Sequence, residues 1–217
     1  ESKKSFDNYF YHINAQVREM DLMVGNTLEL ARCEAGHKIT VSLERVNAIR
    51  LIKKTVSDFF DDAENKGLEL NLYIDSIKDT FLDIDVAKFK MVFRNVVSNA
   101  IKYTDTGYVN VEARITGFAS ESMINIVVID SGAGIKPELQ DEIFKPFRRV
   151  DKNTSVVGSG VGLSSCKFIL DQIGGSIGVK QGVDGKGSVF SISMPVSDVL
   201  KEEITGQPRS ENCILLS

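Results

Sequence analysis

The chain of 217 residues has no tryptophan, two histidines, four prolines and three widely separated cysteines without a CxxC spacing. An odd, scattered set of thiols disfavours a disulfide framework or a cysteine metal site and is typical of a reducing compartment. No apolar run reaches the roughly 18 residues that a membrane span needs, and no signal peptide is visible. We therefore expect a cytoplasmic fragment, with any membrane anchor in segments outside this chain. Because it starts at Glu1 without methionine, we expect a piece of something longer.

The chain has no excess of positive charge, since 26 lysines and arginines face 30 acidic residues and the formal net charge is −4. Nucleic-acid binding needs clustered lysine and arginine, so we expect no nucleic-acid partner. One small basic cluster occurs at Arg148, Arg149 and Lys152. A chain of this length buries roughly 70% of its unfolded surface, so it can fold stably without a disulfide or a bound metal.

Residues 1–36 show an apolar period of 3.5, which predicts a long helix with a coiled-coil seam. Gly36 ends the pattern where a glycine commonly ends a helix. The alternative is an ordinary amphipathic helix lying on the core of the following domain. The seam residues are Phe6, Phe10, Ile13, Val17, Met20, Val24, Thr27 and Ala31.

Residues 37–196 mix helical and strand periodicities without a regular βαβ rhythm. This predicts a two-layer α/β sandwich, with a mixed sheet and helices on one face. Residues 197–217 form a polar linker or the start of a following domain. Strands are predicted at His37–Val46, Leu68–Ile74, Thr80–Ile84, Tyr108–Ile115, Met123–Asp130, Ser176–Gln181 and Ser188–Met194, and helices at Val46–Lys66, Asp85–Tyr103 and Val161–Ile173.

The first of four chemically unusual stretches reads RNVVSNAIKYTDTG. Asn95 and Asn99 share one helical face, which Lys102 and Tyr103 continue. Amide oxygens suit Mg²⁺ and a lysine suits phosphate oxygens. A plain polar helix face is the alternative.

The second stretch, VVIDSGAGI, ends an apolar strand at Asp130 and continues through Gly132, Gly134 and Ile135. A carboxylate at the end of a buried strand needs a hydrogen-bond donor, and the amine of adenine is one. The two glycines permit a tight turn and the approach of a flat base. Many ordinary turns carry the same DxGxG pattern.

The third stretch, EIFKPFRRV, places Phe144 and Phe147 around Pro146, before a basic segment that reaches Val157. Both phenylalanines are expected to be core residues that anchor this segment. Long loops within compact domains are often lids, so Val150–Val157 is a candidate lid.

The fourth stretch, GSGVGLSSCKFI, has Gly158, Gly160 and Gly162 at the start of a helix. Free backbone N–H groups at a helix start favour phosphate binding. The absence of a preceding strand and of a GK[ST] sequence excludes the dinucleotide and P-loop motifs.

In this order the four stretches resemble the ATP-binding domain shared by histidine kinases, gyrase, the 90-kDa heat-shock chaperone and MutL. NAIKYT and FKPF are similar to the histidine-kinase branch, and LELARCEAG resembles the end of the second helix of its dimerisation and phosphotransfer domain. The closing glycine-rich pattern is matched by Gly174, Gly175, Ile177, Gly185, Gly187, Ser188, Phe190 and Pro195.

The resemblance implies that Asn95 and Asn99 hold Mg²⁺ and phosphates and that Asp130 binds adenine. It implies transfer of the γ-phosphoryl group of ATP to a histidine, then to an aspartate of a response-regulator receiver domain. It also implies a homodimer joined through the helix of residues 1–36. Gyrase-like members have a water-activating glutamate where Asn95 stands, so hydrolysis is not expected. The implied nucleotide contacts are Asn95, Asn99, Lys102, Tyr103, Asp130, Gly132, Gly134, Ile135, Phe147, Gly158, Gly160, Val161, Gly162 and Leu163.

The acceptor motif of that family, similar to HExRTP, does not occur in this sequence. His12 has neither an acidic neighbour nor a downstream RTP, and His37 follows the EAG hinge. We expect the acceptor histidine to lie outside this fragment. The alternative is a non-kinase switch that lost the acceptor and signals through lid ordering and partner docking. The terminal ENCILLS is either a plain tail or the opening strand of a receiver domain.

Overall fold

A computed structural model describes residues 39–74, 81–117, 122–148, 160–196 and 213–215, together with eight residues of the first helical segment. These eight are all helical: Ile13, Val17, Met20, Val24, Gly25, Thr27, Leu28 and Ala31. Within these ranges no helix is both long enough and apolar enough to cross a bilayer.

The described domain consists of helices and strands that follow the predicted order closely. Its helices are α1 (Ala48–Ser57), α2 (Phe60–Asn65), α3 (Val86–Tyr103) and α4 (Gly162–Ile173). Its strands are β1 (Glu44–Asn47), β2 (Leu68–Ile74), β3 (Phe81–Ile84), β4 (Gly107–Thr116), β5 (Met123–Asp130), β6 (Ser176–Gln181), β7 (Ser188–Pro195) and β8 (Cys213–Leu215).

The main sheet has the strand order β6-β7-β5-β4-β2-β8, and β1 pairs with β3 in a separate two-stranded sheet. The pairing of β2 with β4 is parallel and the other pairings are antiparallel, so the sheet is mixed as predicted. Along β5 the residues alternate strictly between buried and half-buried, which is the pattern of a sheet covered on one face. Buried residues of α1, α3 and α4 join that face in one hydrophobic core.

Two boundaries predicted near the start of this domain are wrong. The strand expected at His37–Val46 is observed only from Glu44 to Asn47, where it pairs with β3. Upstream of it, the backbone of Ser42 instead donates to the Asp85 carboxylate. The helix expected at Val46–Lys66 is interrupted between α1 and α2, so that Phe59 is buried in the core at the break.

The seam residues Phe6 and Phe10, the two histidines and residues 197–212 lie outside the described residues. Five apolar side chains of the helical segment are between 56 and 64% exposed, namely Ile13, Val17, Met20, Val24 and Leu28. The alternative in which this helix lies on the core of its own domain is therefore wrong for these residues. Of the tail, β8 pairs antiparallel with the edge of β2.

Candidate functional site

Helix α3 carries the first stretch, and an acidic cap fixes its start. The Asp85 side chain accepts from the backbone N–H of Lys88 at 3.0 Å, as an N-cap residue does. It also accepts from the Ser42 N–H at 3.0 Å and from Lys88 Nζ at 2.6 Å. These donors outweigh burial and hold the pKa of Asp85 below its usual range. The cap therefore joins the segment before β1 to the start of α3.

Asn95 and Asn99 lie one turn apart on α3, with Asn95 only 7% exposed. Asn95 Nδ2 donates to the Met91 carbonyl at 2.8 Å, which directs the nitrogen end of the amide toward its own helix. Cys166 of α4 is fully buried beside it, and burial raises the pKa of this thiol to about 12. Cys166 is therefore an un-ionised packing residue between α3 and α4, and it connects the first and fourth stretches.

Asp130 ends β5 and is 6% exposed. Its Oδ1 accepts from the backbone N–H of Gly132 at 3.0 Å and of Ser188 at 3.2 Å. Burial raises the pKa of Asp130 above its usual value, while the hydrogen bonds from Gly132 and Ser188 act in the opposite direction. One carboxylate oxygen is thus held by the protein backbone, which orients the other.

The end of α3 abuts the turn that follows Asp130. A Cβ atom added to Gly132 would lie 2.5 Å from the Tyr103 carbonyl oxygen and 3.0 Å from Thr104 Oγ1. Such distances exclude any side chain at this position without a backbone shift. The first and second stretches are therefore in direct contact, as a shared site requires.

The loop between β6 and β7 closes the other side of the same turn. The Gly187 N–H donates to the Gly132 carbonyl at 2.8 Å. Gly187 has φ +70°, and a Cβ there would collide with the Asp130 carbonyl oxygen. Gly134 has φ +74°, and its Cβ would lie 2.7 Å from the Gly187 carbonyl. Glycine is needed at both positions for conformation and for space.

The third stretch differs from the prediction of two core phenylalanines. Phe144 packs against the core, but Phe147 is 69% exposed with φ +60°. A left-handed backbone is unfavourable for an aromatic residue and persists only where neighbours enforce it. Here the Phe147 N–H donates to the Gly160 carbonyl at 3.0 Å, which pins the third stretch to the fourth.

Helix α4 begins in the fourth stretch without a capping side chain. Its N-cap residue, Val161, is buried and offers no side-chain acceptor to the first turn. Orphan N–H groups at an uncapped helix start are a ready-made anion site. Gly162 and Leu163 form the first turn, while Gly158 and the candidate lid Val150–Val157 lie outside the described residues.

The structure thus brings the described parts of all four stretches together around α3. Ile135, which follows Gly134, packs partly buried against the core. Sequence reasoning gave no role to Ser188 or Thr104, although Ser188 donates to Asp130 and Thr104 contacts the Gly132 turn. Two sequence features could have indicated these residues: the glycine-rich pattern before Ser188, and the position of Thr104 directly after Tyr103. Lys66 also reaches this region, and no motif in the sequence indicates it.

Residues 84–198, just over half of the chain, match the family described as "Histidine kinase-, DNA gyrase B-, and HSP90-like ATPase". The chain belongs to this family. Its domain is an ATP-binding catalytic domain of the histidine-kinase type, in agreement with the resemblance seen in the sequence.

Curated relatives are sensor and hybrid kinases. Hybrid signal transduction histidine kinase B of Dictyostelium discoideum is 30% identical over 80% of this chain and 9% of its own length. Sensor protein EvgS of Escherichia coli K12 is 26% identical over 89% of this chain and 16% of its own. Sensor protein SrrB of Staphylococcus aureus is 31% identical over 82% and 30%. The chain therefore spans less than a third of the length of these relatives.

Solved structures share the fold. Full-length ShkA in complex with AMPPNP superposes with a TM-score of 0.70 at 24% identity, covering 88% of this chain and 39% of ShkA. The catalytic domain of histidine kinase ThkA gives 0.60 at 26% identity, covering 72% of this chain and 99% of that domain. A complex of ThkA with the response regulator TrrA gives 0.62 at 23% identity, with 85% and 50% covered.

Proposed function

We propose that this chain is the ATP-binding catalytic portion of a sensor histidine kinase. It would transfer the γ-phosphoryl group of ATP to a histidine outside these residues, for relay to a response-regulator aspartate. The observation that carries this proposal is the Asp130 carboxylate, buried at the end of β5 with one oxygen held by two backbone donors. A carboxylate so oriented offers its other oxygen to an exocyclic amine.

The remaining predicted contacts extend from Asp130 in two directions. The adenine end would be surrounded by Tyr103, Gly132, Gly134 and Ile135; the contact of the Gly132 turn with the end of α3 supports this. The phosphates would lie between Lys102 on α3 and the uncapped start of α4, at Gly160, Val161, Gly162 and Leu163. Phe147, exposed and pinned to Gly160, would cover this end, and Gly158 is assigned here from the sequence alone.

Asn95 and Asn99 fit a hard cation that arrives with the nucleotide. Two amide oxygens cannot complete the six-fold shell that Mg²⁺ demands, so phosphate oxygens and water would supply the other ligands. Because Asn95 Nδ2 donates to the Met91 carbonyl, the amide oxygen is the atom that Asn95 would contribute to such a shell. Once bound, Mg²⁺ would neutralise charge on the transferring phosphoryl group.

The residues of this chain would act by positioning rather than by acid–base chemistry. Asn95 is an amide and cannot activate water as a general base. Phosphoryl transfer depends on in-line placement of the acceptor and on charge stabilisation, which Asn95, Asn99 and Lys102 would provide. The same reasoning predicts slow hydrolysis of bound ATP.

The proposed partners follow the same assignment. The seam of the first helical segment, which includes the exposed side chains of Ile13, Val17, Met20 and Val24, would form a homodimer contact in the full-length protein. A response-regulator receiver domain would bind this protein; the complex of ThkA with the response regulator TrrA supports such a partner. We further propose a cytoplasmic location for this portion, with any membrane anchor elsewhere in a longer protein.

The proposal is tested by incubating three proteins with γ-labelled ATP and Mg²⁺: this chain, its His12→Gln variant, and a longer polypeptide that includes an upstream acceptor helix. We expect all three to bind ATP and only the longest to gain acid-labile label, as phosphohistidine gives. Acid-labile label on this chain that disappears in His12→Gln would make His12 the acceptor. ATP binding without label on the longest protein would favour the nucleotide-dependent switch.

A further inference from the structure

The C-terminal turn of α3 carries Lys102 and Tyr103, and its carbonyl groups need partners outside the helix. The last four carbonyls of any α-helix have no intrahelical donor. In α3 the first of these, Ala100 O, accepts from Thr104 Oγ1 at 2.8 Å. The last, Tyr103 O, lies against Gly132. The two carbonyls between them, those of Ile101 and Lys102, accept from a side chain outside the helix.

Both are satisfied by one lysine that is distant in sequence. Lys66 Nζ donates to Ile101 O at 2.8 Å and to Lys102 O at 2.7 Å. The ammonium also lies at the negative end of the α3 dipole, where a cation is stabilising. Burial lowers the pKa of Lys66, and the Asp105 carboxylate acts in the opposite direction.

The backbone of Lys66 is held by hydrogen bonds at the end of α2, which restricts the positions that its ammonium group can reach. Lys66 is the C-cap of α2, and its N–H donates to the Ala63 carbonyl at 3.1 Å. Gly67 follows with φ +69°, and its N–H donates to the Glu64 carbonyl at 2.9 Å. This closed helix end directs the side chain toward α3.

We propose that Lys66 is a positioning residue for ATP binding, which holds the last turn of α3 so that Lys102 faces the phosphates. The turn is held from two sides, by Lys66 at Ile101 and Lys102 and by the Gly132 turn at Tyr103. Loss of Lys66 frees only the side that carries Lys102. This inference rests on the proposed function, because it assigns Lys102 to the nucleotide phosphates.

The test is a double-mutant cycle on the full 217-residue chain, with Lys66→Met, Lys102→Met and the double variant. The dissociation constant of a fluorescent ATP analogue with Mg²⁺ is measured together with the midpoint of denaturant unfolding. We expect Lys66→Met to weaken binding about three- to tenfold, since water replaces part of a half-exposed contact. In the Lys102→Met background the same change should weaken binding less than twofold.

Two controls separate positioning from general stabilisation. Lys66→Arg should bind within twofold of wild type, because a guanidinium can also donate to two carbonyls. Lys54→Met removes a lysine that pairs with Asp58 at the end of α1 and should leave binding unchanged. A Lys66→Met protein that unfolds more easily but binds normally would overturn the proposal.

The proposal would also be overturned if the increase in the dissociation constant of the double variant equalled the product of the increases in the two single variants. Lys66 would then act independently of Lys102. Normal binding by Lys102→Met would refute this inference while leaving ATP binding by the chain intact. Failure of the wild-type chain to bind the analogue would instead refute the proposed function itself.

Discussion

Replacing Asp130 with asparagine separates the binding role of the carboxylate from its role in the fold. The amide oxygen of the new side chain can still accept from the N–H groups of Gly132 and Ser188, which lie 3.0 and 3.2 Å from Oδ1. In the proposed site the new NH₂ group would occupy the second position and face the adenine amine, so that two donors would oppose each other. The variant should fold normally and bind ATP poorly.

The magnitude follows from the bond that is lost. A hydrogen bond to a charged group contributes about 1.5–3 kcal/mol, and each 1.4 kcal/mol is about tenfold in affinity. Asp130→Asn should therefore raise the ATP dissociation constant roughly 10- to 150-fold. Titration calorimetry with a non-hydrolysable ATP analogue measures this, with Asp83→Asn as control because Asp83 pairs with Arg45 away from the site. Near wild-type affinity in Asp130→Asn would remove Asp130 from the site.

Asp130→Asn should weaken ATP binding but increase the stability of the folded protein at neutral pH. The folded-state pKa of Asp130 is raised above its unfolded value, so this group favours folding below its usual pKa of 3.8 and loses that contribution as pH rises through the raised pKa. At neutral pH the buried, ionised carboxylate lowers the free energy of unfolding, and replacement by asparagine removes this destabilisation. In denaturant unfolding from pH 3 to pH 8, the free energy of unfolding of Asp130→Asn should increase relative to that of wild type as pH increases. A constant difference across that range would contradict this account.

Two further predictions concern residues that shape the site. Gly187→Ala places a Cβ against the Asp130 carbonyl at φ +70°, and should lower the free energy of unfolding by at least about 2 kcal/mol, whereas Gly178→Ala has open space and should be nearly neutral in the same denaturant experiment. Asp85→Ala removes a helix cap and leaves Lys88 Nζ without its carboxylate, and should cost about 2–3 kcal/mol at pH 7. Because the pKa of Asp85 is lowered in the fold, its contribution is present above the usual carboxyl pKa and is lost as pH falls through the lowered value. The deficit of Asp85→Ala should therefore shrink at pH 3, with Asp171→Ala as control because that side chain is half-exposed and pairs with Lys167 at the surface.

Local sequence determined the secondary structure wherever one side of an element faces the core and the other does not. The predicted bounds of β5 and of β6 are those observed, and α3 starts one residue after the predicted Asp85. The period of an amphipathic element is present directly in the order of its residues. The same holds for the glycines at 132 and 134, since a turn after a buried strand needs them.

The boundaries that were wrong depend on contacts between distant segments. Residues 39–43 have the alternation of a strand, but Ser42 is bound by Asp85 and not by a sheet partner. Phe147 has the composition of a core residue, but its bond to the Gly160 carbonyl holds it at the surface. Burial and backbone strain depend on which distant segments pack against each other, and the local periodicity of the sequence does not indicate such contacts.

The sequence by itself determined the family, the order of the four stretches and the polar residues that they contain, because these are written as short local patterns. Only the tertiary structure decided how those residues are held. Lys66 is 35 residues from the Ile101 carbonyl that it binds, and Ser188 is 58 residues from Asp130. No motif links such pairs, since a hydrogen bond depends on distance in space. The residues that we propose to bind the nucleotide can thus be recognised in the sequence, while the contacts that orient them form only once the sheet and helices have packed.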